Sequence, residues 1–246
     1  MKKTPMITRE TLAKLAQFDT PTITNAVELF YVRPRTEGYM DRRIVSQFPD
    51  FPPMVGFAAT ASFRSSAPPK GLDVYGSMER QVETFAGLPG PAVVVFQDLD
   101  DPPVAATFGE VLCSTYQAFG STGLITSGAG RDLLQVKALK YPVFTGSTIC
   151  AHAYCHILHV GVSVHVGGLV VDQGDLLHGD ANGVTNIPIE IATELADITG
   201  EFAASERIVL DYVQLPGEKK VSELAARRKE FTGVVAKLTE RVRRDR

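Results

Sequence analysis

The spacing of hydrophobic positions changes character along this chain, and each change predicts a different kind of element. Near the start, Leu12, Leu15, Ala16 and Phe18 recur at three- and four-residue intervals behind Thr8. That spacing puts them on one face of a helix with a threonine at its cap position. After Asp19-Thr20-Pro21 a second helix is predicted over residues 22–30. It ends before Arg33-Pro34, because the residue preceding a proline avoids helical geometry. Residues 39–53 are proline-rich and carry no period, whereas the small and apolar residues of 56–64 predict a strand, with a loop over 65–71.

The middle of the chain alternates. Residues 78–85 predict a helix that Gly87-Leu88-Pro89-Gly90-Pro91 stops, and Ala92-Val93-Val94-Val95-Phe96 is the unbroken apolar run of a strand buried on both faces. Phe108, Val111, Leu112, Thr115, Tyr116 and Phe119 keep helical spacing. Residues 123–126 then predict a strand, 133–139 a helix and 142–144 a strand. Strands and helices in this alternation imply right-handed crossovers and parallel pairing, with ligands gathering at the carboxyl ends of the strands. Beyond Phe144 the period drops to two: Val160, Val162, Val164 and Val166 alternate, and Gly167-Gly168 leads into Leu169-Val170-Val171. This predicts more exposed, antiparallel strands in a second layer. Gly174, Asp175, Asp180 and Gly183 read as turn residues, and the chain is helical from about residue 189. The fold class expected is α/β, with a central parallel sheet and a second, largely antiparallel one. One domain over 1–246 is expected, with N-terminal helices over about 8–30 and a C-terminal helical extension over about 189–246.

Composition narrows the function. With 44% hydrophobic and 22% charged residues the chain can bury an ordinary globular core, and its net charge of -3 argues against a nucleic-acid partner. The basic residues Arg227, Arg228, Lys229, Arg241, Arg243, Arg244 and Arg246 read as the solvated face of a terminal helix. Three cysteines make no disulfide framework and fit a reducing compartment. Met1-Lys2-Lys3-Thr4-Pro5 opens no apolar leader and no run reaches membrane-spanning length, so a cytoplasmic protein without a membrane partner is expected.

Candidate chemistry concentrates in Gly123-Leu124-Ile125-Thr126-Ser127-Gly128-Ala129-Gly130-Arg131-Asp132. A flexible loop, a cation and a carboxylate follow a buried strand there, at the start of a helix that favours negative charge. Arg131 can grip a carboxylate through two parallel hydrogen bonds, and Asp132 supplies the hard oxygen that a divalent cation such as Mg2+ prefers. The pair suits a metal-chelated oxyacid; it also suits a glycine-rich turn whose Arg-Asp pair is solvated or caps the helix. Gly109-Glu110, at the start of the long helix, can join the same pocket, and Asp98, Asp100 and Asp101 face the same end of the sheet, where a solvated acidic turn would also explain them. His152, His156 and His159, with Cys150 and Cys155 beside them, would share a face for zinc if that segment were helical, but no paired CxxC or HExxH pattern accompanies them, and core or loop histidines with buried free thiols explain them better. No Ser-His-Asp order, Walker loop or dinucleotide fingerprint is present.

Taken in order, Gly109-Glu110, Gly120, Gly123, Gly128, Arg131-Asp132, Pro142-Val143-Phe144, Gly174-Asp175, Asp180, Gly183-Val184 and Pro188 resemble the RraA-like family, from about residue 18 to 188. That family includes the 4-hydroxy-4-methyl-2-oxoglutarate aldolases and the regulator of ribonuclease E activity. The resemblance implies a three-layer β/β/α fold of the swivelling-domain type, assembled as homotrimers or hexamers with sites between subunits. It further implies Mg2+ or Mn2+ near Asp132, the pyruvoyl end of a small 2-oxo acid on Arg131, and amides near Gly109, Glu110, Ser127 and Gly128 around the remaining charge. By the same resemblance a glutamate of a neighbouring subunit joins the site, and Glu206 is nearest by position. The activity implied is cleavage of a 2-oxo diacid by an aldolase or an oxaloacetate decarboxylase. The alternative implied is a catalytically silent protein that masks a ribonuclease or another partner, and a lyase or hydrolase of altered specificity that recruits His152 or His156 is a third. The chain departs from the family pattern in having Ser127-Gly128 where relatives commonly have Asp-Gly, Thr24-Asn25-Ala26 where an aspartate is frequent, and its own histidine- and cysteine-rich stretch from Cys150 to His165.

Overall fold

The structure, a computed structural model, describes residues 7–69 and 78–244. The 1–5 segment, the end of the 65–71 loop and Arg246 of the basic tail lie outside the described residues. The first helix, α1 (Arg9–Leu15), starts as its spacing predicts, with the Thr8 hydroxyl accepting the Thr11 amide. The second, α2 (Thr20–Glu28), starts two residues earlier than expected, because the Asp19 carboxylate accepts from the Thr22 amide at 2.7 Å and caps it. Within the proline-rich stretch lies the short strand β1 (Val45–Ser46), and β2 (Met54–Arg64) follows. Every residue of β2 from Met54 to Phe63 is buried, so this strand forms the middle of the molecule.

Next come α3 (Met78–Thr84), β3 (Ala92–Asp98), β4 (Ala106–Phe108), α4 (Glu110–Ala118), β5 (Ser121–Thr126), β6 (Ala129–Gly130), α5 (Leu133–Ala138), β7 (Val143–Thr145) and β8 (Ser147–Thr148). Strands β2, β3, β5 and β7 pair in parallel, as the strand–helix alternation predicts. Phe63, Val94, Phe96, Leu124 and Val143 on one face of this sheet meet Leu112, Cys113 and Tyr116 of α4 and Val136 of α5. Strand side chains alternate between faces, so Ala58, Val93, Val95, Ile125 and Phe144 turn the other way. They pack on Val164 and Val166 of β10 (Val164–Val166) and Leu169 and Val171 of β11 (Leu169–Val171), the antiparallel hairpin that the valine alternation predicts; β9 (His156–Val160) precedes it. Helices, parallel sheet and hairpin make the three layers.

The segment expected to be mainly turn is instead β12 (Leu176–Asp180) and β13 (Gly183–Ile187), joined through Ala181-Asn182. The apolar pair Leu176-Leu177 outweighs the turn residues around it, and β12 adds antiparallel to β2, as does β9. Much of the antiparallel component therefore extends the main sheet, which nearly closes where Tyr39 bridges Thr185. A separate sheet orders β4-β6-β8, three short parallel strands that the sequence did not signal. Residues 156–160 are strand, so the helical face that would align His152, His156 and His159 does not form. The helical C-terminal part is α6 (Ala192–Gln214) and α7 (Val221–Val242); with α1 and α2 it covers Val55, Phe57, Leu176 and Ile187.

His178 ties these helices to the sheet. Fully buried on β12, its Nε2–H donates to the Leu15 carbonyl at 3.2 Å, which leaves Nδ1 to accept from the Thr20 hydroxyl at 2.9 Å. Asp180 completes the clamp by accepting the Thr20 amide at 2.8 Å. Burial disfavours the imidazolium and lowers the His178 pKa from 6.5. The unfolded chain therefore binds the proton more readily, and the stability His178 contributes is full above pH 6.5 and declines as pH falls through the folded-state value. In urea titrations, His178→Gln is expected to lose about 1–3 kcal/mol at pH 7.5, and the gap to the wild type is expected to narrow at pH 5. An unchanged gap would contradict the buried neutral imidazole.

Candidate functional site

The three short strands β4, β6 and β8 place the chemistry. Arg131 leaves β6 with its amide bonded to the Phe108 carbonyl at 3.0 Å, and the Ile149 amide bonds the Gly130 carbonyl at 3.1 Å. The residue after Arg131 must turn at once into α5, and Asp132 does so in the left-handed region, at φ 54°. Asparagine and aspartate tolerate that region better than most side chains. The turn sends the Asp132 carboxylate sideways to α4, where Oδ2 accepts the Glu110 amide at 3.1 Å. Helix α4 has Gly109 at its cap and no capping side chain of its own, so Asp132 supplies the missing acceptor from another element. A Cβ on Gly109 would fall 2.5 Å from Asp132 Oδ2 and 3.0 Å from Arg131 Nε. Glycine there is what allows Gly109-Glu110 and Arg131-Asp132 to meet.

The electrostatics follow from this geometry. The Arg131 side chain is 29% exposed, lies 3.7 Å by its Nε from Asp132 Oδ2, and makes no hydrogen bond among the described residues. A guanidinium presents five donors in a planar fork, so Arg131 is free to take a planar anion. Asp132 Oδ1 likewise accepts no hydrogen bond among the described residues. Both side chains open on a cleft of about 330 Å³ lined by Gly130, Arg131, Asp132, Leu133, Thr148, Ile149 and Cys150. Of the last three, Thr148 and Ile149 were not foreseen and Cys150 was considered only for zinc. Their signal was present, since they follow the parallel strand at Val143-Phe144 and so lie at a strand's carboxyl end, but the bend at Gly146 hid β8.

Ser127 and Gly128 sit beneath this cleft rather than in its lining. The Ser127 hydroxyl accepts the Asp98 amide at 2.9 Å. The Gly128 amide bonds the Thr126 hydroxyl at 2.9 Å, and the Thr145 hydroxyl donates to the Gly128 carbonyl at 2.5 Å. A Cβ on Gly128 would strike Thr107 Oγ1 and would lie 2.7 Å from Asp98 Oδ2. Asp98 and Asp100 are not a solvated turn. Asp100 accepts the Ser65 and Ser66 amides at 2.7 and 2.9 Å, and Asp98 is 8% exposed, with Oδ1 accepting the Asp100 amide at 2.9 Å. Asp98 Oδ2 is buried without a hydrogen-bond partner, and burial pushes the carboxyl up to about 6.

Glu206 stands apart from the pair within this chain. It lies on α6 and lines a separate cleft with Val209, Leu210, Arg228 and Phe231, where burial, with Asp19 as a secondary cause, raises its pKa. Among the described residues no group of three histidines, cysteines or acids is placed to hold a metal ion. The donor set at Asp132 is a single carboxylate with one uncommitted oxygen, which fits an ion that keeps most of its water and takes further oxygens from a substrate, as Mg2+ does. It does not fit a tetrahedral zinc site. Among the described residues no helix is long and apolar enough to cross a membrane.

A protein of Halalkalibacterium halodurans named "Putative 4-hydroxy-4-methyl-2-oxoglutarate aldolase" is 36% identical over 105 residues, 42% of this chain and 49% of that protein. The chain spans about half the length of the curated relatives it matches. Among solved structures, an uncharacterized protein from Pseudomonas syringae pv. tomato superposes with a TM-score of 0.71 at 20% identity, covering 93% of this chain and 97% of that one. Streptomyces coelicolor RraAS2, described as an unusual member of the RNase ES inhibitor RraA protein family, superposes with a TM-score of 0.67 at 20% identity, covering 85% and 99%. At these identities the superpositions speak for the fold. The family model described as RraA-like, Aldolase/RraA, matches residues 20–185, and the chain belongs to that family.

Proposed function

We propose that this protein is a divalent-metal-dependent carbon–carbon lyase that cleaves a small 2-oxo diacid, as an aldolase releasing pyruvate or as an oxaloacetate decarboxylase. The observation that carries the reading is the open guanidinium of Arg131 beside the uncommitted oxygen of Asp132 in one cleft. Arg131 takes the substrate's 1-carboxylate and keto oxygen. As the bond between C3 and C4 breaks, its electron pair moves toward that keto oxygen, and the guanidinium stabilises the enolate charge; C4 leaves as CO2 from oxaloacetate, or as a carbonyl whose former hydroxyl proton goes to water, and a proton from water returns to C3 to give pyruvate. Asp132 would hold Mg2+ or Mn2+, which supplies Lewis-acid polarisation of the keto group when bound. The Gly109 junction keeps the two side chains together, and Glu110, exposed at the start of α4, joins it through its amide. A trimer or hexamer would set a neighbour's Glu206 against this cleft, and cytoplasmic residence remains part of the proposal.

A second reading has its own observation. Ser127 is turned inward to the Asp98 amide, so it brings no acid to the cleft, and a silent binding protein that engages a ribonuclease needs none. The two readings separate on turnover. With 4-hydroxy-4-methyl-2-oxoglutarate or oxaloacetate and Mg2+, pyruvate release is expected from the wild type. Arg131→Ala is expected to lower kcat/KM by about 100-fold or more, and Asp132→Asn to abolish the response to metal. No metal-dependent turnover, together with recovery of a ribonuclease on the immobilised protein, would favour the silent reading.

The capping role gives a test that needs no substrate. Asp132→Ala is expected to cost about 1 kcal/mol in urea unfolding, because the α4 amide loses its acceptor, whereas Asp132→Asn, which keeps an oxygen there, should cost less. Equal costs would show that the Glu110 amide does not depend on this side chain.

A further inference from the structure

Asp98 is the buried acid that the proposed chemistry leaves unused, and its surroundings tie it to the segment that carries the site. It ends β3, beside the end of β5, where its amide donates to the Ser127 hydroxyl at 2.9 Å. Its Oδ2 is directed at Gly128, near enough that a Cβ there would be 2.7 Å away, and Thr107 Oγ1 crowds the same point. Thr107 belongs to β4, whose last residue, Phe108, holds the Arg131 amide. Thr126 donates to Thr107 at 3.2 Å and accepts the Gly128 amide, so the floor under residues 127–132 is one hydrogen-bonded patch with Asp98 Oδ2 at its edge, buried and unpartnered. A neutral carboxyl occupies such a place at modest cost, whereas a charged one lacking a donor at that oxygen is strongly disfavoured and draws in water or neighbouring hydroxyls.

We infer that Asp98 is a positioning residue: its carboxyl, neutral when packed under Gly128, holds residues 127–132 in the geometry that brings Arg131 and Asp132 together, and its ionisation loosens that segment. The groups that bear on its charge are few. Asp100, on the same loop, favours ionisation through its amide and opposes it through its carboxylate, Arg64, at the end of β2, favours it, and Arg64 and Asp100 pair at 3.6 Å. Ser127, Thr107 and Thr126 contribute hydroxyls without charge. His156 and His159, opposite Arg64 and Ser62 in the β2–β9 register, are the titratable side chains on the flanking strand. The direction for Asp98 is fixed by burial: neutral below about pH 6 and ionised above it. The inference rests on the lyase reading only for its consequence in turnover; the loosening itself is a property of the free protein.

The experiment follows hydrogen exchange of the peptide covering 127–132 in the full-length metal-free protein, by mass spectrometry between pH 5 and 8, corrected for intrinsic exchange. Protection in the wild type is expected to fall by about tenfold or more on raising the pH through 6, since each unit of pKa displacement corresponds to a factor of ten between states. Asp98→Asn, neutral and nearly isosteric, should hold its acid-side protection to pH 8, while His156→Asn should follow the wild type. Should Asp98→Asn fold poorly, the carboxyl carbon resonance of Asp98 in the wild type, titrated by NMR, must move through the same midpoint as the exchange. A pH-independent wild type, an Asp98→Asn protein that keeps the dependence, or a His156→Asn protein that loses it overturns the inference. In turnover, Asp98→Asn should flatten the alkaline fall of kcat/KM with 2-oxo acid. An intact exchange pattern with no turnover at all would sink the lyase reading and leave the positioning role standing.

Discussion

The hydrogen bond from the Glu110 amide to Asp132 Oδ2 is the constraint around which the site is arranged. Two strand-to-helix junctions, one entering α4 and one entering α5, would otherwise be independent loops. One carboxylate joins them because α4 starts at a glycine that cannot cap its own helix, and because a left-handed turn at Asp132 sends that carboxylate across the gap. With a Cβ at Gly109 the two junctions would be pushed apart. The main sheet contributes the base on which this meeting occurs: parallel strands end together, so the segments that follow β3, β5 and β7 emerge at one end of the molecule.

The same bond shapes the electrostatics. One oxygen of Asp132 is committed to the α4 amide and the other is not, while the guanidinium next to it makes only a long contact with the carboxylate. Around that bond one carboxylate lies between a helix N-terminus and a cation, with room for an anion to approach. Adding a divalent ion at the uncommitted oxygen would leave the cleft positive, and a 2-oxo acid, with adjacent carboxylate and keto oxygens, is complementary to such a field. The lining from Leu133, Ile149 and Cys150 adds little polarity of its own.

Much of this was legible in the sequence, and the failures have physical causes. The parallel core was readable because strands buried on both faces need continuous apolar runs, as at 92–96, and because glycine and proline stop the elements between them. The Arg131-Asp132 pair and its approach to Gly109-Glu110 were readable for a related reason: parallel topology places successive strand ends together. Strands β4, β6 and β8 were not, since two- and three-residue strands of small residues carry no period. Turn residues at 174–183 masked β12 and β13, and the histidine spacing at 152–159 mimicked a helix face in what is partly an edge strand. A solvated turn stayed open for Asp98 because its neighbours Asp100 and Asp101 made an acidic run; the packing of Gly128 over it reveals burial.

The central claim is that Arg131 and Asp132 together receive a 2-oxo acid and a divalent cation. Its most direct test is a crystal structure of the protein grown with Mg2+ and oxalate, a planar stand-in for the pyruvate enolate. The account predicts oxalate oxygens on the Arg131 guanidinium and the ion on Asp132, with the Glu110 amide bond to Asp132 intact. Oxalate and ion bound away from this pair, with Arg131 and Asp132 turned from the cleft, would contradict it.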